Sequence, residues 1–153
     1  MKPKLKRLLT SVVTPVVLMG CFISTVAATH SYCIGLAELN SDKIGMEQVI
    51  EENFSSRATG SINFSIKPDS MVAAKDTKLP LEAGETVTIN ASYSPASASM
   101  DFGLIAPDGY FYYVNVDSGS INKTIRVDER GNYLLAVRNN SNRTVSVVGY
   151  VNY

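Results

Sequence analysis

One histidine, two cysteines and no tryptophan leave this chain short of the groups that most catalysis needs. The histidine, His30, stands beside an expected export cleavage site, so a serine triad has no base within the folded part, and no Gly-x-Ser-x-Gly turn is present. Zinc lacks the histidines and cysteines it prefers, and no glycine loop is spaced to cradle phosphate, so no cofactor is expected. A basic face is missing too. Of 14 basic residues, Lys2, Lys4, Lys6 and Arg7 precede the first apolar run; from Thr29 onward 10 face 14 acidic residues, a formal charge of −4. Binding to a phosphate backbone needs the opposite balance, so nucleic acid is not an expected partner.

What is there begins with an export signal. The cationic start is followed by an apolar stretch from Leu8 to Ala28 containing Pro15, barely long enough for a hydrocarbon core of about 30 Å. Val26-Ala27-Ala28 offers the small residues that a signal peptidase reads, giving a signal over 1–28 and a mature start near Thr29. Leu18-Met19-Gly20-Cys21 resembles a lipobox, which would end the signal at residue 20, acylate Cys21 and anchor the protein to the outer face of the cell membrane. Either way Cys33 is left as the only thiol and no internal disulfide forms. The expected localisation is secreted or extracellular, with membrane contact only through the signal or a lipid.

Residues 29–59 read as a linker with a possible short helix over 42–54, where Ile44, Met46, Val49, Ile50 and Phe54 form a rough apolar stripe. From about residue 60 the period changes to two. Ile62, Phe64 and Ile66 alternate with polar residues, as do Val87, Ile89 and Ala91 with Thr86, Thr88 and Asn90. The clearest pattern runs from Met100 to Val116, two alternating runs about Pro107-Asp108-Gly109, the mark of a β-hairpin. Further runs follow around Ile125, Leu135 and Val147, with Lys123 a misfit on an apolar side. Seven or eight short strands with turns between them, and no helix separating any two, predict a small all-β domain over 60–153, an antiparallel sandwich or jelly roll.

Asp101, Leu104 and Pro107-Asp108-Gly109, then Gly131-Asn132-Tyr133, Val137 and Asn139, resemble the bacterial pre-peptidase C-terminal type of β-sandwich. Ala83-Gly84-Glu85-Thr86-Val87-Thr88 resembles that family's strand-opening turn, and the likeness spans Leu81 to Val147. It implies a module of the kind appended to secreted hydrolases to assist export, folding or attachment, some of which bind carbohydrate or protein fibres. No enzyme domain accompanies it here.

Tyr110, Phe111, Tyr112 and Tyr113 put two aromatic rings on each side of one strand, so two exceed what a single core face can bury. Tyr110, Phe111 and Tyr113, extended by Tyr93 and Tyr150, are therefore candidate binding residues for stacking on sugar or anchoring a protein; the alternative is that Phe111 and Tyr113 meet a second patch of the same domain or the 41–54 segment. Asp101 and Asp108 are a weak calcium alternative, without the spacing of a calcium loop. Asn90-Ala91-Ser92 and Asn142-Arg143-Thr144 mark an Asn- and Ser-rich surface. The expected function is non-catalytic binding or structure at a bacterial envelope, with a glycan, the cell wall or a protein as partner. The alternatives are a small secreted hydrolase, an enzyme inhibitor and a self-assembling envelope protein.

Overall fold

The computed structural model describes residues 33–44, 49–52 and 59–153. Both signal cleavage sites, Cys21 included, lie outside them. The chain forms β1 (Cys33–Gly35), a 3-10 turn (Leu36–Glu38), β2 (Asn40–Lys43), β3 (Val49–Glu52), β4 (Thr59–Ile66), β5 (Ser70–Leu81) and β6 (Thr86–Ser94). Then come β7 (Met100–Ile105), β8 (Tyr110–Val116), β9 (Ser120–Arg126), β10 (Gly131–Asn139) and β11 (Val145–Asn152). Two sheets pack face to face, one ordered β1-β9-β6-β11-β4 and the other β2-β8-β7-β10-β5-β3. The all-β sandwich is as expected, with 11 strands rather than seven or eight.

The extra strands come from the segment read as a linker. Where a helix was expected over 42–54, the described residues are strand: β2 pairs antiparallel with β8 and β3 runs parallel to β5, while 45–48, 53 and 54 lie outside the described residues. Ile44 and Val49 pack onto a second apolar cluster, an attraction that a spacing argument confined to the segment itself misses. β5 continues to Leu81 because Leu79 and Leu81 are core residues.

Among the described strands, only β7 and β8 are neighbours both in sequence and within a sheet. Their turn is closed by Gly109 N–H donating to Ala106 O at 3.0 Å and Ala106 N–H donating to Tyr110 O at 2.9 Å. Gly109 sits at φ +81°, a conformation that costs residues with a Cβ and not glycine. Every other described connection between the longer strands crosses from one sheet to the other, so the core is closed by contacts distant in sequence. Ile62, Ile66, Val87, Ile89, Phe102, Leu104, Ile125, Val137, Val145 and Val147 are each 0% exposed between the sheets. Phe64, Tyr112 and Val114 pack against this core and are only partly buried, since they lie toward the margins of the sandwich.

Candidate functional site

The sandwich leaves each sheet one outer face, and the two differ. On the six-stranded sheet, Phe111 points outward from β8 yet is 0% exposed, because Met71, Ala73, Ile105 and Ala136 surround it and Ile44, Val49 and Leu134 pack around them. Tyr113 stacks on Phe111 with ring centroids 5.1 Å apart, and the Arg138 guanidinium lies 4.7 Å from the Tyr113 centroid. The surplus rings thus meet a second patch of the same domain. Phe111 offers no surface to a ligand, and Tyr113 only part of one.

Arg138 is held on the same face by two carboxylates. It donates from Nε and Nη2 to Asp101 at 2.8 and 2.7 Å and from Nη2 to Asp42 at 2.8 Å. Burial lowers its pKa, but the bonds to Asp42 and Asp101 outweigh that, and the net shift is upward. Asp101, 1% exposed, also accepts from the side-chain amides of Asn115 and Asn140. Its oxygens are committed to protein donors. Asp108 is used elsewhere, accepting from the Tyr110 backbone N–H and the Tyr112 hydroxyl. The fold therefore does not bring Asp101 and Asp108 together as calcium ligands, and no group of three or more metal-binding side chains gathers among the described residues.

The outer face of the five-stranded sheet is open. Register places Asn122, Asn90, Tyr150 and Ser61 in one row across β9, β6, β11 and β4, and Ser120, Ser92, Val148 and Asn63 in the next. Neighbouring strands are about 4.8 Å apart and successive outward residues about 6.8 Å apart, so this is a regular lattice of hydroxyl and amide groups. Cross-strand bonds order it: Thr88 and Thr124 hydroxyls meet at 2.9 Å, and those of Ser65 and Ser146 at 3.2 Å. Arg126, at one corner, is the sole charge among the described outward positions of these four strands. Near the centre Tyr150 and Val148 stand 44% and 55% exposed. Gly149 between them is needed because a Cβ there would meet the Ala91 Cα at 2.5 Å.

At one end of the sandwich, the 3-10 turn, the Pro107-Asp108-Gly109 turn and the Asp128–Arg130 turn enclose a concavity of about 220 Å³. Asp108, Asp128 and Glu129 line it with Tyr112 and Tyr133, and its one cation, Arg130, reaches Glu82 at 3.2 Å. The hydrogen bond to Asp108, followed by burial, pushes the Tyr112 pKa up to about 12.

No family model matches this chain, and no curated relative matches it. Among solved structures it is similar to PliG of Aeromonas hydrophila, a periplasmic lysozyme inhibitor of g-type lysozyme. The two are 15% identical with a TM-score of 0.48, over 69% of this chain and 95% of that one.

Of the five candidate binding residues, Tyr150 stands free on the open lattice. Tyr110, 37% exposed, pairs its ring with Tyr112 at 6.4 Å beside the end concavity. Tyr93 belongs to the core at 6% exposed, tilted on Phe102 with its hydroxyl donating to Val116 O at 3.0 Å. The residues around Tyr150 were not foreseen as a site, although the sequence carried their signal. Asn63-Phe64-Ser65, Asn90-Ala91-Ser92 and Asn122-Lys123-Thr124 are three strands of one face, each showing an outward amide, a side chain turned to the core side, and an outward hydroxyl. Each such group both donates and accepts hydrogen bonds. Covering them removes no ion from water, which keeps the cost of binding low.

Proposed function

We propose that this chain is a non-catalytic secreted or cell-surface binding module that holds a neutral glycan against the outer face of its five-stranded sheet. The carrying observation is the uncharged Ser, Thr and Asn lattice with the exposed Tyr150 ring near its centre. Sugar hydroxyls complement groups that donate and accept, and the apolar face of a sugar ring complements an exposed aromatic. The likeness to pre-peptidase C-terminal sandwiches points to the same class of module, and the export signal would bring it to wall or matrix polysaccharides. The test is a glycan array followed by pull-down on insoluble neutral polysaccharides and peptidoglycan. Tyr150→Ala and Asn90→Ala should each weaken retention at least about tenfold, or 1.4 kcal/mol, and raising salt should change it little because no ion pair is involved. Retention by Tyr150→Ala equal to wild type would sink the reading.

A second reading, an inhibitor of an enzyme, is favoured by the acidic end concavity at the projecting Pro107 turn. Three carboxylates against one paired arginine suit a basic protein surface. Inhibition of a cationic secreted hydrolase that is lost with Asp108→Asn plus Glu129→Gln and retained in Tyr150→Ala would establish it over the first.

A further inference from the structure

An unpaired sheet edge invites another strand, and proteins usually blunt such edges by shortness, charge, proline, a bulge or an inward-pointing charged residue. Among the described residues, three of the four edges are treated in that way. β1 is three residues long and covers only Thr124–Arg126 of β9; on the uncovered half, half-buried Lys123 points to the core side between Ile121 and Ile125. The apparent misfit of Lys123 in the apolar pattern is thus a guard on that edge. β2 carries Asp42 and Lys43, and β3 is four residues long. β4 is different. It is eight residues long, from Thr59 to Ile66, pairs with β11 in unbroken register, and contains no charge and no proline. No described strand pairs with its other side.

We infer that β4 is a docking edge for a second copy of this chain, joined antiparallel about a two-fold axis near Asn63. A two-fold pairing sets each residue against its own mirror position, so any charge in the strand constrains or forbids it; β4 has none. Centring on residue 63 sets Asn63 against Asn63 and Ser61 against Ser65 on the outer face, all groups that donate and accept. On the inner side Ile62 is 0% exposed and already buried by its own sandwich, so the joint is carried by backbone bonds and the outer-face groups. The two five-stranded sheets become one ten-stranded sheet with a continuous polar face whose only described charges, the two Arg126 side chains, stand at its far corners. One strand pair buries less than the roughly 1,200 Å² at which standard stable interfaces begin, so the dimer is concentration-dependent. The pairing stands independently of the glycan reading, because it rests on the edge and needs no ligand.

Sedimentation velocity of the processed protein without glycan tests it, from micromolar to millimolar concentration. A monomer–dimer equilibrium is expected, with Asn63→Lys or Ser65→Lys raising the dissociation constant at least tenfold while circular dichroism stays unchanged. In a Cys33→Ser background, Asn63→Cys should form an intermolecular disulfide under mild oxidation, since opposed Cα atoms lie about 4.5–5.5 Å apart in such a pair. Ser41→Cys on β2 should not. A monomer throughout, or a dimer indifferent to Asn63→Lys, overturns the proposal. Hydrogen-exchange protection of β4 amides that arises only on adding another envelope protein would also overturn it, assigning the edge to a foreign strand.

Discussion

The two outer faces of this sandwich are built from the same alternation and arrive at opposite ends. On the six-stranded sheet the outward positions of β5, β7, β8 and β10 include Met71, Ala73, Ile105, Phe111 and Ala136, apolar enough to form a second core. Beside them Arg138, with Asp101 and Asp42, closes a fully partnered polar network. On the five-stranded sheet the outward positions are hydroxyls and amides with one exposed ring and one charge. A face committed to its own packing has little left for a partner. A face of neutral donors and acceptors costs little to hold in water and little to desolvate. The lesson is that outward aromatics mark a binding surface only if the chain brings nothing of its own to cover them.

The comparison breaks first at Phe111. Phe111→Ala should destabilise by about 3–5 kcal/mol, the cost of emptying a buried aromatic site, and urea denaturation measures it; a loss under about 1 kcal/mol would show that the second cluster is a surface after all. Next in size is Arg138→Met, which leaves the buried Asp101 carboxylate with only its two amide donors. Loss of a buried partner costs about 3–5 kcal/mol, and because the Arg138 side chain is 24% exposed, the expected loss is nearer 2–3 kcal/mol. Asp42→Asn, at a side chain 47% exposed, should cost no more than about 1 kcal/mol. On the other face the effects should invert. Val148→Glu should alter stability by less than about 0.5 kcal/mol, as exposed substitutions do, yet weaken retention on any neutral polysaccharide that the wild type holds. Equal stability losses on both faces would erase the distinction.

Much of the fold is visible in the sequence because a period of two is a local property. The hairpin from Met100 to Val116 and the inward residues of β4, β6, β7 and β10 follow from alternation and turn chemistry alone. The strands Asn40–Lys43 and Val49–Glu52 mislead because their structure is set by β8 and β5, which they meet only across the fold. The aromatic candidates divide for the same reason. Alternation assigns Phe111 to an outward side, but whether that side is wet depends on where Ile44 and Val49 land. Asp101 is a similar case: its place on β7 follows from the sequence, and its engagement by Arg138, Asn115 and Asn140 does not. The polar lattice was written in three Asn-x-Ser/Thr triplets, yet only sheet order shows that β4, β6 and β9 present them on one surface.

The smallest expected effect lies at the end concavity, between the two faces, and depends on pH. Tyr112 donates to Asp108 at 2.8 Å, and this bond, with burial second, raises its pKa from 10.0 to about 12. A phenol raised in the folded state binds its proton more tightly there than when unfolded. Its contribution to stability is therefore complete below pH 10 and is lost as pH rises through about 12. Tyr112→Phe has no such proton to lose. Its denaturation midpoint should lie slightly below that of wild type at neutral pH, and the gap should close between pH 10 and 12, over the interval set by the two pKa values. A gap that stays constant across this interval would mean that Tyr112 contributes through its ring alone, leaving the Asp108 carboxylate uncommitted and the concavity more acidic in character than its hydrogen bonds imply.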